Sequence, residues 1–285
     1  MDKKEVEILE QISLNVREHI IRLTSKGGCF IGASLSCTDL IVYLYKNFLN
    51  IDKNRFLDLN RDYLFLSKGH DVPALYGVFV ELEWLDKNRL NNHCTAKDDI
   101  YWHPNKKING IEFHSGSLGH LLSVAIGVAL DCKIKTSQNK IVVILGDGEL
   151  NEGTIWEGLL TASAYKLDNL LIIVDRNRFQ ANVETEKLIP LEPLERKFES
   201  FNCCVKTING HSFKEMEEVF SQFPFESKRV SVIIADTVRG KGLPSIESRA
   251  DRWFCKFTDE EVQSLIDELH GLSKTKLESE SLTVR

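Results

Sequence analysis

Several features are missing from this 285-residue sequence, and each absence removes a class of function. No apolar run approaches the ~20 residues that a membrane-spanning helix needs. The opening residues, MDKKEVEILEQI, are charged and amphipathic and contain no apolar signal-peptide core. Positive charge is not in excess. The formal net charge is -6, so neither nucleic acid nor an anionic membrane has a general electrostatic footprint to meet. No C-x-x-C occurs among the seven cysteines, an odd number, and Cys203 and Cys204 are adjacent. That usage fits reduced thiols in a cytoplasmic protein rather than a disulfide framework or a zinc site. We find no internal repeat and no internal low-complexity linker. No G-x-G-x-x-G follows the first strand-like run, which leaves a Rossmann-type nucleotide binder without support.

What is present is a large apolar fraction, 42%, enough for a sizeable core. Three short runs read as strands buried on both faces: 141–145 (IVVIL), 170–174 (LLIIV) and 230–235 (VSVIIA). Helical patterns at 154–166 and 213–222 separate them. Further helices are expected over 4–25, ending before Gly27-Gly28, and over 37–49, with Ser36 or Thr38 able to cap the latter. A last helix with an acidic, Thr-capped start is expected over 258–272. Strand–helix–strand order predicts an α/β fold: a doubly wound, mostly parallel sheet flanked by helices. The expected organisation is one domain over 1–272 and a polar, mobile tail over 273–285.

The chemistry begins at Gly146-Asp147-Gly148-Glu149, directly after IVVIL. In an open parallel sheet, ligands bind beyond the carboxyl ends of strands. Glycines there let the backbone approach a diphosphate, and a loop Asp between them is a hard oxygen ligand suited to magnesium. Alone, G-D-G is a common turn tripeptide. The next strand ends in Asp175-Arg176-Asn177-Arg178-Phe179-Gln180, which puts Asn177 thirty positions after Asp147. That interval is one strand–helix–strand unit, so a carboxylate and a carboxamide oxygen sit at neighbouring strand tips. One octahedral cation sharing diphosphate oxygens could bridge them.

G-D-G followed by Asn at this interval is the thiamine-diphosphate signature, and the surrounding text resembles the N-terminal half of transketolases over roughly residues 10–257. Ser67-Lys68-Gly69-His70 is similar to the family's S-x-G-H, and Trp102-His103-Pro104 to its G-H-P. Gly116-Ser117-Leu118-Gly119-His120 is similar to its G-S-L-G-[QH]; GDGELNEGTIWEG and IIADTVRGKG are also family-like. The resemblance implies a thiamine-diphosphate-binding fold that holds the diphosphate end of the cofactor through Mg2+. It implies that Asp147, Asn177 and the carbonyl of Phe179 ligate the metal. Gly146 and the Gly148 amide would lie against the diphosphate, with Arg239 near it. Gly116, Ser117 and Leu118 would cradle the aminopyrimidine by backbone groups. His70 and His103 would line the substrate funnel and assist proton transfer, with His70 also touching the cofactor. Glu152 and Glu157 would link paired active sites across a two-fold interface, where helix 154–166 and segment 116–130 are expected to lie.

Three departures from the family stand out. Phe30 in Gly28-Cys29-Phe30-Ile31-Gly32 replaces a histidine, Phe254 in Trp253-Phe254-Cys255 replaces another, and Leu121 stands where a glycine is expected. The glutamate that activates the aminopyrimidine belongs to a second, pyrimidine-binding domain for which 285 residues leave no room. A separate partner subunit resembling the C-terminal part of transketolase is therefore expected, with sugars or sugar phosphates as substrates. The expected activity is transfer of a two-carbon ketol unit from a ketose to an aldehyde. The alternatives are a 1-deoxyxylulose-phosphate-synthase-like or 2-oxo-acid dehydrogenase α-like subunit, or a degenerate non-catalytic thiamine-binding subunit.

Overall fold

The computed structural model describes residues 1–278. At its centre is a five-stranded sheet ordered β1 (Tyr63–Leu66), β2 (Ile141–Gly146), β3 (Leu170–Arg176), β7 (Ser231–Asp236) and β6 (Cys204–Asn209). Every neighbouring pair is parallel. A two-stranded hairpin, β4 (Phe179–Gln180) and β5 (Val183–Glu184), follows β3. The three expected strands are the three central ones. All seven residues of β3 are buried, as continuous apolar runs covered on both faces must be. The edge strands β1 and β6 were not expected. YLFL is too short to stand out, and CVKTIN exposes Lys206, Thr207 and Asn209 at the sheet margin.

Ten α-helices cover the sheet among the described residues: α1 (Lys3–Ser25), α2 (Ile31–Ser36), α3 (Thr38–Tyr43), α4 (Val72–Glu81), α5 (Leu121–Ile134), α6 (Gly153–Ala164), α7 (Thr185–Leu188), α8 (Leu194–Ser200), α9 (Phe213–Phe220) and α10 (Asp259–Leu269). Alternate strand residues face two separate cores. Val142, Ile144, Leu171 and Ile173 pack towards α1, α3, α4, α9 and α10. Val143, Leu145, Ile172 and Val174 pack towards α5, α6 and α8. Capping boxes at Asp2/Glu5 and Thr258/Glu261 start α1 and α10 close to the expected positions.

The helix expected over 37–49 is present as α3 running on into a π-helical turn, with an additional short helix, α2, before it. α2 and α3 meet at Cys37 (φ -91°, ψ 2°), and a π-helical turn, Leu44–Phe48, follows. Neither Ser36 nor Thr38 caps α3. The Ser36 hydroxyl donates to Asp175 at 2.6 Å, and that of Thr38 to the Ser34 carbonyl at 2.9 Å. The expected tail also differs at its start: Thr275 Oγ1 donates to the Ser264 carbonyl at 2.9 Å, so residues 273–278 fold back on α10. The remainder of the expected mobile tail, 279–285, lies outside the described residues. No helix of the described residues is long and apolar enough to cross a membrane, and all seven cysteines are free thiols.

Candidate active site at the strand tips

Parallel register brings the chemistry-bearing loops to one edge of the sheet. Gly146 is aligned with Asp175, and Arg176 with Asp236, so the segments after β1, β2, β3 and β7 emerge together. Asp147 and Asn177 follow these tips directly. Asp147 is not the exposed loop residue that its turn sequence suggests; it is 1% exposed. One carboxylate oxygen accepts the Gly148 N–H at 2.7 Å; the other accepts the Arg178 N–H at 2.5 Å and Arg176 Nη1 at 3.0 Å. Burial, with Asp175 close behind it, still pushes the carboxyl up to about 6 against the pull of Arg176. The protein therefore under-compensates this negative charge, which suits a carboxylate whose partner is a cation from outside the chain. Asn177 Oδ1 accepts the Phe179 N–H at 3.1 Å, while its amide nitrogen donates to Asp175 and Ser36. Arg178 adopts φ +74°, an uncommon conformation for a non-glycine residue, and it turns the chain so that its N–H reaches Asp147.

Beneath these residues lies a charged cluster that sequence reasoning missed. Lys68, 1% exposed, bridges Asp175 and Asp71, the latter at 2.6 Å. Burial alone would raise the Asp175 carboxyl, but the Lys68 ammonium holds it below its ordinary range. Glu149 has no role that its sequence motif alone reveals. It is 2% exposed and accepts Ser67 Oγ at 2.5 Å, the Gly119 N–H at 2.8 Å and the Gly146 N–H at 3.1 Å. One carboxylate thus ties together the loops that carry S-K-G-H, G-S-L-G and G-D-G. A glutamate beside glycines, directly after a buried strand, was the available signal.

Arg239 is 1% exposed, and its Nε and Nη2 have no hydrogen-bond partner. Its guanidinium stands 5.3 Å from the Phe179 ring centroid. Gly32 makes room for it: a Cβ there would lie 2.8 Å from Arg239 Nε. Burial lowers its affinity for the proton, partly offset by Asp71, Asp147 and Asp175. A buried cation with two orphaned donors calls for an anion. The donor set therefore fits a magnesium diphosphate: hard oxygens on Asp147 and Asn177, and an unsatisfied guanidinium beside them.

His70 and His103 come together at the mouth. Phe30 lies against both, with ring centroids at 5.4 Å from His70 and 6.2 Å from His103. Burial lowers the basicity of both histidines. Gly116, at φ +140°, approaches so closely that a Cβ would meet the His103 ring at 2.8 Å. His103, Gly116, Ser117 and Leu121 line an open cleft of about 570 Å³. The two altered positions, far apart in sequence, are neighbours. Cys29 and Cys255 pair as an antiparallel bridge through two 3.0 Å hydrogen bonds, and the rings of Phe30 and Phe254 then meet at 5.1 Å. Leu121 needs no glycine conformation, because it is the first residue of α5 and is buried in the core.

Comparison with known proteins gives the family and the fold. Residues 17–278 match the family described as transketolase, thiamine diphosphate binding domain. The chain belongs to the transketolase thiamine-diphosphate-binding family. It is 35% identical over 265 residues to an apulose-4-phosphate transketolase subunit from Actinobacillus succinogenes, covering 92% of this chain and 95% of that one. It is 33% identical over 276 residues to the 6-deoxy-6-sulfo-D-fructose transketolase subunit SqwG of Clostridium sp. (strain MSTE9), covering 91% and 97%. The transketolase structure from Campylobacter jejuni superposes with a TM-score of 0.85 at 25% identity, covering 95% of this chain and 43% of that chain. In this transketolase-family chain, Glu152 and Glu157 are not gathered with the histidines. Both are exposed, one at the start of α6 and one on its outer face, although the Glu152 Cβ packs close to Gly119. Leu160, one turn after Glu157 on α6, is 62% exposed, and Ile134 at the end of α5 is 73% exposed.

Proposed function

We propose that this chain is the cofactor-holding subunit of a two-subunit, cytoplasmic transketolase that moves a two-carbon ketol unit from a ketose to an aldehyde. The observation that carries the reading is the buried, unpartnered Arg239 beside Asp147 and Asn177 at adjoining strand tips. Mg2+ would be held by Asp147, Asn177 and the Phe179 carbonyl. Bound thiamine diphosphate supplies the carbon nucleophile and the electron sink for breaking and remaking a carbon–carbon bond. Arg239 neutralises the diphosphate. The Gly148 N–H, expected to do the same, is engaged by Asp147 Oδ1 at 2.7 Å, so Arg239 carries the larger share. The backbone of Gly116, Ser117 and Leu118, fixed through Gly119 by Glu149 and Thr154, offers a preformed edge to the aminopyrimidine. His70 and His103 move protons at the substrate oxygens. Product analysis on the assembled complex tests the reaction class. Two-carbon transfer from a sugar donor supports it, whereas turnover of pyruvate with no sugar donor activity refutes it.

The aromatic pair refines the donor. Phe30 and Phe254 stand where the family has histidines, and phenyl rings donate no hydrogen bond. Each lost donor removes roughly 2.7–4 kcal/mol of transition-state stabilisation in comparable oxyanion sites. Ordinary pentulose and hexulose phosphates should therefore be poor substrates, and a less polar or deoxygenated donor or acceptor better. Steady-state rates over a panel of ketoses and aldehydes, phosphorylated and not, measure this. Xylulose 5-phosphate with ribose 5-phosphate as the best pair by a wide margin would contradict it.

Association with a second copy about a two-fold axis accounts for the exposed apolar side chains on α5 and α6 and for the outward-facing Glu152 and Glu157. Leu160→Asp should weaken assembly by about tenfold or more, because an unpaired buried carboxylate costs over 1.4 kcal/mol. Light scattering that finds the variant assembling like the parent, or a stable monomer with partner and cofactor present, would count against this interface.

A further inference from the structure

The buried acid that follows His70 has one oxygen too many for its surroundings. Asp71 is fully buried, and its Oδ2 accepts from Lys68 Nζ at 2.6 Å. Its Oδ1 has no hydrogen-bond partner. A buried carboxylate oxygen without a donor is costly, and native structures rarely leave one. The nearest ring nitrogen is His70 Nε2, at 3.6 Å, a separation that a small rotation of either side chain closes to hydrogen-bond length. Among the described residues no hydrogen bond holds the His70 ring; Phe30 meets it edge-on at 5.4 Å. Two unmet needs therefore face each other: an oxygen without a donor and an imidazole without an orienting partner.

We propose that Asp71 is a positioning residue for His70, the two forming an Asp–His pair that closes when the site is loaded. The inference rests on the reading of His70 as a proton-transfer residue. His70 Nε2–H donates to Asp71 Oδ1, which fixes the tautomer and leaves Nδ1 as the acceptor. When Nδ1 takes a proton from a substrate hydroxyl, the proton stays on the ring. The Asp71 carboxylate stabilises the imidazolium so formed, as buried carboxylates do in other Asp–His pairs. The other charged or titratable groups facing His70 are Lys68 from its own loop, His103 from the segment before Pro104 and Arg239 from the loop after β7. All three oppose protonation of the ring, so Asp71 is the carboxylate that supports it. Lys68 lies against its other oxygen.

The test is a double-mutant cycle on the complex of this chain with its partner, using Asp71→Asn, His70→Gln and the double variant. An amide at position 71 would present N–H to Nε2 and impose the wrong tautomer. Asp71→Asn is expected to lower kcat by about 10²-fold, the lower end of the usual general acid–base contribution. KM for the donor should change much less. Removing the carboxylate also removes the group that favours protonated His70, so the limb of the pH–kcat profile set by His70 should move to lower pH. In the His70→Gln background, the same change should cost almost nothing further. Equal losses in both backgrounds, or an unmoved limb, would overturn the pairing. If His70→Gln leaves kcat intact, it is the role of His70 that fails, a different result. Because Asp71→Asn also disturbs Lys68, a measurement on the unaltered complex stands beside the cycle. Nitrogen-15 NMR of the histidine rings with thiamine diphosphate and Mg2+ bound should show His70 as the Nε2–H tautomer, and an Nδ1–H tautomer would contradict the proposal.

Discussion

Asp147→Asn should weaken magnesium-dependent binding of thiamine diphosphate by about 10²-fold or more, since loss of groups behind metal ligands already costs 10–100-fold. The variant keeps the shape of the side chain and removes its charge. Asparagine can still accept from Arg178 N–H, one of the three donors that now converge on Asp147. Asp147→Ala is the less informative change. The residue is 1% exposed, and truncation would leave the Arg178 N–H unpartnered, costing about 1–3 kcal/mol of stability as well. Calorimetry on the assembled complex, titrated with cofactor at several magnesium concentrations, separates the two effects. Affinity equal to the parent's would remove Asp147 from the metal site.

The isolated chain should bind the cofactor at least about tenfold more weakly than the complex and turn over no substrate, because an aminopyrimidine left in water forfeits its share of buried area. The described residues supply a diphosphate end at Arg239, Asp147 and Asn177, and one edge at Gly116 and Ser117, both of which are exposed. The cleft beside that edge is open. A cofactor seated there has one side in solvent until another chain covers it. Equilibrium dialysis of the chain, with and without its partner, measures the difference; equal affinity in both cases would contradict the half-site reading.

The parts of this site that were legible in the sequence share one property: they lie on local patterns. IVVIL and LLIIV announce strands because both faces of each are buried, and the interval between Asp147 and Asn177 is one strand–helix–strand unit. Contacts between distant segments left no such trace. The substitutions at Phe30 and Phe254 were each visible, but not that the Cys29–Cys255 bridge packs them against one another and beside His70. Lys68 looked like an ordinary motif residue until the fold set it between Asp71 and Asp175, the latter 107 residues away. The edge strand β6 failed to announce itself because half of its residues face water. The helix start near Cys37 was legible, but the short α2 before it and the π-helical turn after it were not, because residues 31–45 are wholly buried and periodicity carries little information there.

The central claim is that this chain is one half of a thiamine-dependent ketol transferase completed by a second, different chain. It is tested most directly by titrating the purified chain with a partner resembling the C-terminal part of transketolase, at saturating thiamine diphosphate and magnesium, and following two-carbon transfer between a ketose and an aldehyde. The predicted result is no turnover by either chain alone, and a rate that rises with added partner and saturates at one partner per chain. Full turnover by this chain alone, or no turnover at any ratio across the donor panel, would contradict it.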